Sequence, residues 1–114
     1  MSKSKAKGTA FETEIVRTLQ SKWWPHASRR ALTGALDTGD INIHPDVVIE
    51  AKDHGTLKFS QWLAEAEKER VNAGASIAVV WAKRRGKASA GDAYVVMTGE
   101  QFIELLHRAG LGGK

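Results

Sequence analysis

Cysteine is missing from this 114-residue chain. That excludes a disulfide framework and any thiolate metal site, and favours a cytoplasmic setting. Proline is scarce, with Pro25 and Pro45 the only two. No apolar run approaches the ~18 residues that a membrane span needs, so an integral membrane protein is not expected. The opening M-S-K-S-K-A-K-G is basic but no apolar stretch follows it, so it reads as a mobile tail rather than a signal peptide. Internal repeats and low-complexity blocks are missing beyond that tail. What is present suits one compact domain, with residues 1–7 a flexible basic tail, 8–110 the domain and 111–114 a second flexible tail. A net charge of +4 and a pI of about 9.6 modestly favour a polyanionic partner.

The most informative stretch is Asp40 to Lys52, D-I-N-I-H-P-D-V-V-I-E-A-K. Val47, Val48 and Ile49 are strong strand formers, Ile41 and Ile43 alternate with polar residues, and Pro45-Asp46 marks a reversal. Strand alternation places Val48, Glu50 and Lys52 on one face and Val47, Ile49 and Ala51 on the other. A three-residue loop, His44 to Asp46, sets Ile41 opposite Ile49 and Asp40 opposite Glu50. A two-residue loop would set apolar residues beside polar ones. Cross-strand neighbours lie about 4.5–5.5 Å apart, where two carboxylates repel unless a cation sits between them. Two carboxylates with Lys52 close by therefore indicate a divalent-metal site with a cationic helper.

A first helix is expected from Gly8 or Thr9 to Lys22, with Phe11, Ile15, Val16, Leu19 and Trp23 in one apolar arc. Glu12 lies inside that arc, where a carboxylate needs a partner, either an arginine or a shared site with the hairpin. After Pro25 a short strand is expected over Ala27–Thr33, with Arg29 and Arg30 on opposite faces, then a loop over Gly34–Gly39. A helix from about Lys58 or Phe59 to Asn72 turns Phe59, Trp62, Leu63, Ala66 and Ala73 to the core and Glu65, Lys68 and Asn72 away from it, and Gly74 closes it. Gln61 falls on the polar side. Ser76–Ala82 is apolar on both faces, as a central parallel strand should be. A basic loop, Lys83, Arg84, Arg85 and Lys87, leads to a strand at Ala93–Met97. Thr98 and Gln101 form a capping box for a last helix whose Phe102, Ile103, Leu105 and Leu106 are expected to pack inward. The order α-β-β-β-α-β-β-α describes an α/β fold, with a mixed central sheet flanked by helices.

A helix carrying an inward glutamate, then G-D opening a hairpin, then I-E-A-K on its second strand, then a helix and a strand, resembles the PD-(D/E)XK nuclease superfamily. Within it, Lys7 to Val16 (K-G-T-A-F-E-T-E-I-V) is similar to the N-terminal helix of archaeal-type Holliday junction resolvases, and the small basic form is similar to phage versions. The resemblance spans about Lys7 to Trp81 and implies a restriction-endonuclease-like αβββαβ core. It implies catalytic Glu12, Asp40, Glu50 and Lys52. It implies Mg²⁺, with Mn²⁺ as a substitute, held by Asp40, Glu50 and the Ala51 backbone carbonyl, with Glu12 holding a water or a second metal. Gly39 stands where the family has proline, and Asp37 rivals Asp40 for the aspartate's role. The implied reaction is phosphodiester hydrolysis in branched or double-stranded DNA, in recombination or repair. Arg29, Arg30, Lys83, Arg84, Arg85 and Lys87 are candidates for phosphate contact.

Paired nicks at a four-way junction also imply a homodimer, with the last strand (Tyr94, Val96), the final helix or Trp24 as the apolar patch. Other readings are another small nuclease of this fold, a non-catalytic basic DNA-binding domain, and an interaction protein using Trp23, Trp24 or Trp62. His26, His44, His54 and His107 lack metal-ligand spacing; His54 lies near enough to the site to touch a substrate.

Overall fold

Phe11, Ile15, Val16 and Leu19 recur at helical spacing. In a computed structural model, which describes residues 3–31 and 36–113, they form the buried stripe of α1 (Lys3–Gln20). The helix starts at Lys3 rather than Gly8 or Thr9. Lys5, Ala6 and Lys7 are good helix formers, so most of the segment expected to be a tail makes up the first turns of α1. The next strand is shorter than expected, with β1 confined to Ser28–Arg29. Residues 32–35, which include the expected strand end at Thr33, lie outside the described residues.

The hairpin has the expected register. Ile41 of β2 (Ile41–Asn42) stands opposite Ile49 of β3 (Val47–Lys52), and the turn closes with the Val47 N–H donating to the His44 carbonyl at 3.1 Å. From β3 the chain enters α2 (Phe59–Ala73), which ends at Gly74 in the left-handed conformation. It then returns as β4 (Ile77–Ala82), parallel to β3 from Val47–Ile77 to Lys52–Ala82. A short 3₁₀ turn at Ala90–Asp92 precedes β5 (Tyr94–Val96), which is antiparallel to β4. The sheet order β1-β2-β3-β4-β5 and the αβββαβ succession make this an α/β fold with a mixed sheet.

Strand alternation sorts the core into two layers. Ile41 and Ile49, with Val47, Ala51, Val79 and Trp81 around them, meet α1 on one face. Val48, Ala78, Val80 and Ala82 meet Trp62 and Ala66 of α2 on the other. Ile15, Ile41, Ile49, Val48 and Val80 are fully buried, each contributing ~1.5–3 kcal/mol of burial energy. Glu50 and Lys52 share the α2 side with Val48. Among the described residues no helix is long and apolar enough to cross a membrane.

The last helix, α3 (Gly99–Arg108), departs from expectation. Phe102, Ile103 and Leu105 are exposed, Leu106 is half-buried, and no residue of the helix is buried. Polar bonds hold it instead. The Ala78 N–H donates to Gln101 Oε1 at 2.6 Å, Gln101 Nε2 donates to Glu67 at 2.8 Å, and Arg108 pairs with Asp46. The capping box is half made, since Thr98 Oγ1 accepts from the Gln101 N–H while the Gln101 side chain goes to β4 and α2.

Gly39 explains why proline is not found before Asp40. Its φ is +102°, which proline's ring forbids, and a Cβ there would lie 3.0 Å from Val48 Cγ1 and 3.1 Å from the Ile49 carbonyl oxygen. Gly39→Ala is expected to cost about 1–2 kcal/mol from the backbone alone, and more from the contact. Urea unfolding of the two proteins measures it; an unchanged midpoint would show that the segment relaxes freely.

Candidate metal centre

Three segments that are distant in the chain meet at one end of the β3–α2 layer. Asp37, ahead of β2, accepts the Gly39 N–H at Oδ1, at 3.0 Å. Asn72 of α2 anchors the same residue by donating from Nδ2 to the Asp37 carbonyl at 3.0 Å. Glu50 reaches the same space from β3, and Glu69 from α2. Each of the three offers a carboxylate oxygen, and these oxygens lie within 4.8 Å of one another. They line a cleft of about 460 Å³ with Leu36, Lys52, Glu65, Lys68 and Asn72.

Two of the three are buried, Glu50 at 8% exposure and Glu69 at 4%. Among the described residues, Glu50 Oε2 and Glu69 Oε1 meet no hydrogen-bond donor. A buried carboxylate oxygen without a donor costs several kcal/mol, so the charged form is disfavoured. For Glu69 the effect is large: desolvation, then the charges of Asp37 and Asp40, push its pKa up to about 8. Hard oxygen donors around a cleft of this kind suit Mg²⁺, Mn²⁺ or Ca²⁺. The donor set fits such an ion.

Asp40 lies beside this group rather than in it. Its N–H donates to the Ile49 carbonyl at 2.8 Å, and its Oδ2 accepts the Ala51 N–H at 2.8 Å. The carboxylate thereby caps the end of the hairpin ladder. Burial raises its pKa most, and Asp37 raises it further. The Ala51 amide, Lys52 and Arg29 pull it back. Of the expected ligand pair, Glu50 belongs to the three-carboxylate group and Asp40 does not, whereas its rival Asp37 does. The Ala51 amide joins Asp40 to β3.

Glu12 takes the arginine partner. Arg29 Nε donates to Glu12 Oε1 at 3.2 Å, on the α1 side of the sheet, whereas Glu50 faces α2. Burial and then Asp40 raise the Glu12 pKa, against the lowering effect of Arg29. Lys52 donates from Nζ to Glu65 Oε2 at 2.8 Å, stands 3.9 Å from Glu50 Oε1, and lies over the Trp62 ring at 5.9 Å. Its ammonium holds the Glu65 carboxyl below the usual range.

The basic candidates fall in separate places. Lys83, Arg84 and Arg85 line a groove with Lys7, His54 and Tyr94, and Lys87 is exposed in the same loop. Lys7, in the early turns of α1, adds a cation to this groove. Arg30 lines a different cleft, with His26, Asn42 and His44.

Sequence reasoning missed Glu69, although the signal was present. It lies seven residues after Trp62 and three after Ala66, inside the apolar stripe of α2, as Glu12 lies inside that of α1. Glu65 as the Lys52 partner had no such signal. Comparison with protein-family models, with curated proteins and with solved structures yields no match.

The Glu69 pKa predicts a pH dependence. Between the ordinary carboxylate value of 4.5 and about 8, the folded chain keeps a proton that the unfolded chain has lost, so stability falls as pH rises through that window. Asp40 and Glu12 act in the same direction, whereas Glu65 and Glu67, with lowered values, act only at more acidic pH. In EDTA, the melting temperature is expected to drop by several degrees from about pH 5 to about pH 9. Glu69→Gln should flatten that drop, and Mg²⁺ or Ca²⁺ should restore more stability at the alkaline end. Thermal melts followed by circular dichroism measure all three, and a flat wild-type profile in EDTA would contradict the assignment.

Proposed function

We propose that this chain is a divalent-cation-dependent DNA endonuclease of the PD-(D/E)XK kind, acting on branched DNA as a Holliday junction resolvase. The observation that carries the reading is the pair of buried carboxylates, Glu50 and Glu69, each with an oxygen that lacks a donor among the described residues, gathered with Asp37 at the strand end where Lys52 emerges. A DNA substrate and a cysteine-free chain fit a cytoplasmic setting.

In this reading Asp37, Glu50 and Glu69 hold Mg²⁺ or Mn²⁺. Bound there, such an ion would supply Lewis acidity toward a phosphodiester and a neighbouring water. Asp40 fixes the end of β3 through the Ala51 amide and so sets where Glu50 and Lys52 project. Lys52, released from Glu65, gives its ammonium to the phosphate as negative charge builds there. Trp62 beneath the Lys52 chain limits its swing. Lys7 and the Lys83–Arg85 loop bind the flanking phosphates, and Arg29 holds Glu12 next to Asp40.

A second reading has one observation in its favour: Lys52 and Glu12 already have partners in Glu65 and Arg29. On that basis the chain would be a non-catalytic basic DNA-binding domain. Cleavage of matched four-way, flap, single-stranded and duplex DNA separates the two. Mg²⁺ or Mn²⁺ should support cutting and Ca²⁺ only binding. Asp37→Asn and Glu50→Gln should abolish cutting with the fold intact. Lys52→Ala should slow cutting by about 10²-fold or more while DNA affinity changes little. Undiminished cutting in excess EDTA would remove the metal reading, and no cutting of any substrate would favour the binding domain.

The groove makes its own prediction. Replacing Lys83, Arg84, Arg85 and Lys87 by alanine should weaken DNA binding and lower the log–log salt slope by ~0.9 per lost phosphate contact. Titrations at several salt concentrations measure it; an unchanged slope would assign the loop to solvent.

A further inference from the structure

The groove lined by Lys83, Arg84 and Arg85 holds side chains that a duplex backbone does not need. It encloses about 410 Å³, within the ~300–1,000 Å³ usual for a small-ligand pocket. Its walls include Leu57, 44% exposed, and Tyr94, 39% exposed. Phosphates are met by cations and hydrogen-bond donors, so an apolar side chain and a bare ring add nothing to backbone contact. The carboxylate in the lining, Asp53, is paired with Lys7 at 3.8 Å, which leaves the groove cationic.

An aromatic series holds Tyr94 in place. Its ring meets Phe59 in a T-shaped contact at 6.0 Å, Phe59 meets the buried Trp62 at 5.8 Å, and Lys52 lies over Trp62. The Lys83 N–H donates to the Lys52 carbonyl at 2.8 Å, so the basic loop starts beside the same lysine. The Arg84 guanidinium lies over the Tyr94 ring at 5.6 Å. A planar cation on a ring occupies the place that a planar base would take. Arg84 forms no ion pair among the described residues and is free to leave the ring for a phosphate. Bases inside a duplex have both faces covered by their neighbours, so only a base out of the stack can lie on Tyr94.

We propose that this groove takes one unpaired nucleotide, its base stacked on Tyr94 and its phosphate on Lys83 and Arg85, so that the chain selects DNA with a base out of the stack. The inference rests on the DNA reading above, but on neither cleavage nor a metal.

Fluorescence anisotropy of the whole chain in EDTA tests the proposal with three labelled duplexes: one fully paired, one with an unpaired thymine, and one with an unpaired abasic residue. The two bulged duplexes carry the same phosphates, so only the base distinguishes them. The wild type is expected to bind the thymine bulge about tenfold or more tightly than the abasic bulge. Tyr94→Leu should lose that difference while its affinity for the paired duplex changes little. Tyr94→Phe keeps the ring face and should keep the difference. As a readout that needs no variant, 5-iodouracil in place of the unpaired thymine should cross-link to Tyr94 of the wild type on irradiation. Equal affinity for the two bulges, a preference that survives Tyr94→Leu, or cross-linking confined to other residues overturns the proposal and leaves the DNA reading standing. Failure to bind any of the three duplexes overturns both.

Discussion

Glu50 and Glu69 project toward each other from β3 and α2, both buried, and each leaves a carboxylate oxygen without a donor among the described residues. Two negative charges held close with little water around them are costly, and a folded chain answers by taking up a proton or a cation. Much of the neighbourhood fits that constraint. Asn72 and the Gly39 amide hold Asp37 at the mouth of the cleft. Lys52 stands near Glu50 yet spends its short bond on the more exposed Glu65. The buried pair is therefore left with a deficit of positive charge, although the chain as a whole has a surplus.

The sheet divides the remaining acidic groups. Glu12 sits on the α1 side with Arg29, and the three-carboxylate cleft opens on the α2 side. Asp40, at the end of β2, influences both Glu12 and Glu69. A single side chain caught on the Ala51 amide thus lies within electrostatic reach of acidic groups in both layers. Substituting it would disturb both layers at once, whichever of them does the chemistry.

Features governed by a short period were legible in the sequence. Alternation along Val47–Lys52 and the odd loop at His44–Asp46 gave the register of Ile41 with Ile49, and the helical stripe of α2 gave Trp62 and Ala66 as core. Which of Asp37 and Asp40 lies close to Glu50 and Glu69 was not legible, because it turns on the positive φ of Gly39 and on where a short side chain finds an amide. Glu69 was readable by the reasoning applied to Glu12. The direction of α3 was not, since periodicity reveals a stripe but not whether the stripe meets the chain's own core or another surface.

The three carboxylates of the cleft come from a loop, a strand and a helix with long stretches of chain between them. An ion bound to all three would act as a reversible cross-link, closing two loops in a chain that has no covalent one. Cross-links of that kind change how a protein opens as well as how firmly it folds. With the ion gone, the segment from Leu36 to Asp40 and the C-terminal half of α2 should loosen together, exchanging amide hydrogens and admitting proteases as one unit while β3 and β4 stay closed. The supply of divalent ions would then govern the lifetime of the chain as well as its chemistry.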